Sequence, residues 1–377
     1  MRLFSKRNRP RSPGVQTCTT ADRGIIPPLT SCEHPAQLRL YRELRENVPV
    51  IDAAIMKLVR LLGDFTVKCA DETAQGALDR FMAQVPVGGT GTGIYTFICT
   101  YFDQLLTCGK AVGEIVPYED GTVAALYNAP ADAVTLRTGD SPVDIRLCRN
   151  PLGTQELEHP ELVCVTLLNP QPGTLNGTSV LSGLPFVSDL LMKIFRCVGQ
   201  NFERAGNVRF AVTYNPPAGA GAVNARQRVK EIAEEWSRAM RDKSRVCDFI
   251  SVGDVSIRAI GADSQIIDCD IPIRHVLEQI VAKLSIPPFL LGLSWSSTER
   301  MSAQQADILT SELEYYRSLL TPVIERIART YLTTAQLDPQ VSVLWSNISL
   351  QDETELAAAR LDNARAAQLE QGLEVNG

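Results

Sequence analysis

The stretch that decides the fold is DIPIRHVLEQIVAKLSIPPFLLGL, Asp270–Leu293, followed by SWSSTER, Ser294–Arg300, and MSAQQADILTSELEYYRSLLTPVIERIARTYL, Met301–Leu332. Ile273, Val276, Leu277, Ile280, Val281 and Leu284 recur at helical spacing, which predicts a helix over 271–285 with Asp270 as its N-cap. Pro287 and Pro288 cannot continue that helix, because proline has no N–H and its ring clashes with the preceding turn. A small polar loop with one tryptophan follows. Ser302 to Gln305 has the spacing of a capping box and predicts the start of a second long helix. Its stripe is Ala306, Leu309, Leu313, Tyr316, Leu320, Val323, Ile327 and Tyr331, and Pro322 is expected to kink it. Nothing in the stretch places a nucleophile beside a base. It reads as a device for holding a loop at a fixed place.

The chain has 377 residues, 45% apolar and 21% charged, enough for two or three compact units. A net charge of −6 argues against bulk attraction to nucleic acid, and 6% aromatic content argues against a stacking platform for single strands. The ten cysteines include no C-x-x-C pair, and His34, His159 and His275 lie far apart, so neither a metal site nor a cofactor is expected. Cys99, Cys197 and Cys269 lie in or beside apolar segments, where a reduced thiol acts as a small hydrophobe and a reducing cytoplasm is the simpler setting. No run approaches the length of a membrane span. Residues 1–34 mix Arg, Pro, Ser and Thr and read as a disordered basic tail, either solvated or touching DNA or an acidic partner.

Tyr41, Leu44, Val48, Ile51, Ile55, Leu58 and Leu62 line one helical face, with Asn47 expected to cap a second helix that has Pro49 in its first turn. The run PVGGTGTG, 86–93, lacks the lysine of a phosphate loop and follows a helix-like segment, so it reads as a flexible connector. Ile94, Phe97, Ile98, Tyr101, Phe102 and Leu105 predict a helix ending at Gly109. From Ala111 to Leu168 the period falls to two, with a hairpin at Asp120-Gly121 and further short strands at 133–137, 143–148 and 162–168. A long helix over 183–205, capped by Ser182, carries Leu184, Val187, Leu191, Ile194, Val198 and Phe202. An insert follows, with strands at 208–214, 246–251 and 255–260 around a charged helix at 223–243. That helix is either a solvated face or a docking surface through Arg226, Arg228, Lys230, Arg238 and Arg241. A short strand near 341–345 precedes a terminal helix over 352–371.

This order of elements resembles the portal proteins of tailed bacteriophages and prophages over roughly residues 38–345. Three motifs carry the resemblance: GKAVGEI from Gly109, GTSVL from Gly177, and LSIPPFLLGL from Leu284 with a Ser/Thr loop and LTPVIE from Leu320. The resemblance implies an α+β ring subunit with a disordered tail (1–34), a wing (35–182), a first stem helix (183–206) and a small α/β clip (207–265). A second stem helix (266–288), a tunnel loop (289–301), a long kinked helix with the wing return (302–350) and a short helical crown (351–377) complete it. It also implies a protein that is not an enzyme, works in the virion after assembly in the bacterial cytoplasm, and forms a homo-oligomeric ring, usually of twelve. Double-stranded DNA, the terminase large subunit, the major capsid or scaffolding protein and a head–tail adaptor are its implied partners. No membrane is implied. The loop residues Ser294, Trp295, Ser296, Ser297, Thr298, Glu299 and Arg300 would then face or flank DNA, with Trp295 set either against a neighbouring loop or on its own subunit. A monomeric virion adaptor or scaffold without a DNA channel is the alternative. A nucleotide hydrolase would need a Lys-Ser/Thr pair and an acidic strand that the sequence does not display.

Overall fold

The structure, a computed structural model, describes residues 35–141, 143–149, 155–206, 209–214, 222–241, 255–260, 269–293 and 299–348. In chain order, α1 spans Pro35–Asn47, α2 Pro49–Leu61, β1 Phe65–Cys69, α3 Glu72–Gln84, β2 Pro86–Val87, β3 Gly91–Thr92 and α4 Ile94–Cys108. Then come β4 Lys110–Pro117, β5 Val123–Ala129, β6 Val134–Thr138, β7 Ile145–Arg149, β8 Gln155–Glu156 and β9 Val163–Leu167. The remainder is α5 Leu184–Gly206, β10 Arg209–Tyr214, α6 Ala222–Arg241, β11 Val255–Ile260, α7 Asp270–Lys283, α8 Glu299–Thr334 and β12 Val341–Trp345. The fold is α+β. The described residues up to Ser188, with those from Leu277 onward, make one compact unit, and Asp189–Val276 makes another.

The core of the first unit is α4 laid on a five-stranded sheet of order β3-β2-β5-β4-β9. Phe97, Tyr101, Phe102 and Leu105 are fully buried, each contributing about 2–3 kcal/mol of apolar burial. The Gln104 side chain donates to the Ala129 carbonyl and accepts from the Val112 N–H, both at 2.8 Å, and so ties α4 to β5 and β4. The predicted face of α1 and α2 is also buried from Tyr41 through Leu62. Arg45 joins α1 to α2 and α4: its guanidinium meets Asp52 at 2.7 Å and Asp103 at 2.6 Å, and donates to Thr107 at 2.8 Å. Burial acts to lower the pKa of Arg45, but the two carboxylates outweigh it and the guanidinium stays above its ordinary value.

Two of the sequence motifs meet in space. Gly109 ends α4 in the left-handed conformation (φ +79°), its N–H bonding to the Leu105 carbonyl at 2.8 Å. Its own carbonyl accepts from Leu168 N–H at 2.8 Å, and Leu168 in turn accepts from Thr178 N–H at 2.6 Å. Gly177 lies against this corner so closely that a Cβ there would fall on the Gly109 carbonyl oxygen. The buried Ser179 hydroxyl completes the seam by donating to the carbonyls of Thr107 and Leu106, at 2.7 and 3.2 Å.

Several boundaries differ from the sequence reading. Asn47 is the last residue of α1, and its side chain donates back to the Glu43 carbonyl; Val48 precedes α2, with no side-chain cap. The glycine run at 86–93 is an ordered hairpin, β2 against β3, because Val87 also pairs in parallel with Leu126 of β5. Asp270 is the first helical residue of α7, where a carboxylate favours the positive end of the helix. α8 begins at Glu299, so Ser302 is inside the helix instead of capping it. Cys197 is exposed, unlike the half-buried Cys99 and Cys269. The Asp120-Gly121 hairpin and the strands near 134, 145 and 163 stand where the alternation put them. β1 and β12 pair antiparallel from Phe65↔Trp345 to Cys69↔Val341, and β1 is too short and mixed in pattern to signal that pairing locally. Residues 1–34, 246–251 and 352–371 lie outside the described residues.

In the second unit β10 and β11 form an antiparallel ribbon from Arg209↔Ile260 to Tyr214↔Val255. α6 buries Ile232 and leaves 226–230 exposed.

Candidate functional site

The turn after α7 is built to stop a chain and aim it. Ser285 takes a positive φ of 52°, and its N–H and that of Ile286 bond back to Ala282 and Val281 at 3.3 and 3.4 Å. This is the geometry that closes a helix on its last carbonyls. Ile286 and Pro287 are buried and anchor the turn that comes next. Pro288–Leu291 forms a single 3-10 turn, closed by Gly292 in the left-handed region at φ 73° and by Leu293 N–H on the Pro288 carbonyl at 3.1 Å. The double proline therefore ends α7 and starts a rigid exit. Ser294, Trp295, Ser296, Ser297 and Thr298 lie outside the described residues. Glu299 and Arg300 occupy the first turn of α8 and Pro288–Leu291 is a 3-10 turn, so both described ends of the predicted 289–301 loop are helical turns. The early start of α8 arises because an acidic first residue favours a helix start upstream of the serine box.

α8 takes up the described chain again at Glu299. Its stripe from Ala306 to Ile327 is buried as expected, and Tyr331 stacks on Phe81 at 4.0 Å between centroids. The helix runs through Pro322, which removes one N–H from the ladder and leaves the Ser318 carbonyl without its usual intrahelical donor. Three polar ties fix α8 to the sheet-bearing elements. Arg326 donates to the carbonyls of Pro160 and Glu161 at 3.0 and 2.7 Å, Tyr315 donates to Asn169 at 2.7 Å, and Thr321 accepts from the Trp345 indole at 2.9 Å. Arg317, almost fully buried, is the central fixture, and it was not singled out from the sequence.

Two further surfaces bear on function. α5 carries the strongest uncovered apolar character: Leu184 and Leu191 are buried, but Ile194 and Val198 are only partly covered, and Phe195 and Phe202 are exposed. Among the described residues the expected stripe is therefore not fully buried beyond Leu191. On α6, Arg226, Arg228 and Lys230 are exposed, with Arg228 paired to Glu231 at 3.0 Å. Arg238 and Arg241 lie on the same helix, their side chains outside the described residues.

Chemical activation is not a theme of the described residues. The shifted thiols and phenols are all raised by burial first: Cys164 to about 11, Tyr95 and Tyr316 to about 12, with Cys99 also raised. A raised thiol is a poorer nucleophile at neutral pH. Among the described residues no group of three or more His, Cys, Asp and Glu side chains is placed to hold a metal, and no helix is long and apolar enough to cross a membrane.

No family model and no curated protein matches the sequence. Solved structures do. A chain in the virion of a native gene transfer agent particle is 16% identical with a TM-score of 0.62, over 90% of this chain and 91% of that one. A chain in the neck of a native gene transfer agent particle, with C12 symmetry, is 15% identical with a TM-score of 0.62, over 88% and 89%. An HK97 family phage portal protein from Corynebacterium diphtheriae is 12% identical with a TM-score of 0.43, over 81% and 94%. The chain shares the fold of the two gene transfer agent chains over nearly its whole length.

Proposed function

We propose that this protein is a portal subunit, copies of which close into a ring, usually of twelve, at one vertex of a phage-like capsid. The ring conducts double-stranded DNA during packaging and ejection. It nucleates the head with the capsid or scaffolding protein, docks the terminase motor, and later carries the head–tail adaptor. Its role is structural and not enzymatic. In this reading residues 35–182 are the wing, 183–206 and 266–288 the stem helices, 207–265 the clip, 302–350 the supporting helix and wing return, and 351–377 the crown. The tunnel loop narrows to Ser294–Thr298, with Glu299 and Arg300 at its helical edge. The basic face of α6 is the surface offered to the motor or adaptor.

The observation that carries this reading is the shared fold, over nine-tenths of both chains, with a chain of a twelve-fold particle neck. The uncovered apolar residues of α5 support the ring part of it. Phe195 and Phe202 would each gain about 2 kcal/mol from cover, and a closed ring supplies that cover from identical copies. The acidic net charge of −6 supports the channel, since each phosphate neutralised would add affinity and slow passage.

The test is electron microscopy of the purified protein, alone and co-expressed with its capsid protein. Rings with a central hole are expected in at least one condition. A monodisperse monomer in both would overturn the portal reading in favour of a monomeric adaptor or scaffold. Phe195→Asp with Phe202→Asp should abolish rings while leaving a folded monomer.

A further inference from the structure

A groove opens between the end of α7, the double-proline turn and the first turns of α8. Its walls are Val281, Ala282, Ile286, Pro287, Pro288 and Ile308, with Glu278 and Ser285 at its polar edge, and its volume is about 350 Å³. Gln305 lies on the same wall, and its Oε1 is buried without a hydrogen-bond partner. Such an orphan acceptor costs about 1–3 kcal/mol unless something brings it a donor. Ile308 stands at the lip, 63% exposed. An apolar cleft with one unmet acceptor is a receptor for an apolar side chain that arrives next to an N–H group.

The same compact unit carries a matching knob. Phe186, in the first turn of α5, is 78% exposed, more than any other large hydrophobic side chain among the described residues, and it does not line the groove. Leu190, one turn on, is exposed as well. Helix first turns leave N–H groups without an intrahelical acceptor, so the backbone at Phe186 brings a donor with the ring. A closed ring joins copies through two different patches of each subunit, one donating and one accepting. Aromatic side chains seated in desolvated pockets usually carry most of the energy of such contacts.

We propose that Phe186 of one copy fills the Pro287-Pro288 groove of the next, and that its helix-start backbone meets Gln305. The inference rests on the ring reading above and names the contact that closes it. Functionally, this couples subunit contact to the turn that aims the Ser294–Thr298 loop: Pro287 and Pro288 are both a groove wall and the loop's exit. The partner is a second copy of this chain.

The test replaces Phe186 with the photo-crosslinking analogue p-benzoyl-phenylalanine in the full chain. Irradiated rings should give a ladder of covalent multimers, with crosslinks mapping to 281–288 or 305–308. Rings that form but crosslink elsewhere, or not at all, overturn the proposal while leaving the ring reading intact. Failure of the unmodified protein to form rings under any condition overturns both. As a second arm, Phe186→Ala should raise the protein concentration for half-assembly about tenfold or more without changing the melting of the monomer. Assembly at the wild-type concentration by Phe186→Ala would equally sink it.

Discussion

Arg317 donates from both Nε and Nη2 to the carbonyl oxygen of Leu62, at 2.9 and 2.7 Å, across 255 residues of sequence. Leu62 follows the last residue of α2, so the guanidinium supplies a positive charge and two donors at the negative end of that helix. Its third arm meets Glu314 at 2.9 Å, and its Cζ lies 5.0 Å from the Trp345 ring centroid. One side chain thus joins α8, α2 and the β1–β12 pair. Removing it would leave the Leu62 carbonyl without these bonds and a void beside Trp345. Arg317→Met is expected to lower stability by about 3 kcal/mol in denaturant titration, and Arg317→Lys by nearly as much, because an ammonium cannot reproduce the planar fork.

Two glycine-to-alanine changes, one at the Gly109–Gly177 corner and one on α3, should have opposite outcomes. Gly177→Ala drives a methyl into the Gly109 carbonyl and should cost more than about 2 kcal/mol, read as a lower melting temperature or loss of soluble protein. Gly76→Ala, on the exposed side of α3 with nothing near its Cβ, should instead stabilise by about 0.5–1 kcal/mol.

Alkaline pH should weaken the first unit through Cys164. Burial raises its thiol from an ordinary 9.0 to about 11, so the folded state holds the proton longer than the unfolded chain does. The stability this contributes is complete below about pH 9 and is lost as pH rises toward 11, up to roughly 2 kcal/mol. Melting curves from pH 8 to 11 should show that decline, and Cys164→Ala should make it shallower, the other raised thiols and phenols keeping the remainder. At pH 8 a thiol reagent should modify Cys197 in the folded monomer and leave Cys164 untouched.

Deleting Ser294–Thr298 should leave ring assembly intact and impair DNA packaging or retention, measured as packaged DNA per particle. The flanking 3-10 turn and α8 start hold their own hydrogen bonds, so the deletion should spare the supports. Loss of rings in this deletion would make the loop a structural element instead.

Charge reversal on α6, with Arg226, Arg228 and Lys230 changed to Glu, should weaken terminase binding at least tenfold in a pull-down titration. Unchanged binding would return that face to plain solvation. Rings should form normally in the variant, because these side chains are exposed and only Arg228 has a described ion pair.

The stripes of α1, α2, α4 and α8 were legible because one-sided burial writes a 3.6-residue period directly into the chain, and nearly every residue so marked is buried. The hairpin at Asp120-Gly121 was legible because turn chemistry is local: Asp120 accepts from the Thr122 N–H and hydroxyl, at 2.9 and 2.6 Å. Helix starts were less legible. Asn47, Asp270 and Ser302 all have the chemistry of caps, but Asn47 ends α1, Asp270 is the first residue of α7 and Ser302 lies inside α8. α5 is informative in another way. Its stripe is apolar as the spacing indicates, but among the described residues it is not fully buried past Leu191, because periodicity reports that a face will be buried and not by what.

By itself the sequence determined the α+β class, the helix faces and the stop at Pro287-Pro288. Each follows from interactions within a few residues, where backbone sterics and solvent contrast act. Tertiary structure alone decided that Gly109 and Gly177 share one corner, that Arg317 reaches Leu62, that β12 returns to β1, and that the double proline doubles as a groove wall beside an unmet Gln305 oxygen. Those relationships depend on the closing of long loops and on which polar atom is left over once the core is packed. No local pattern encodes either.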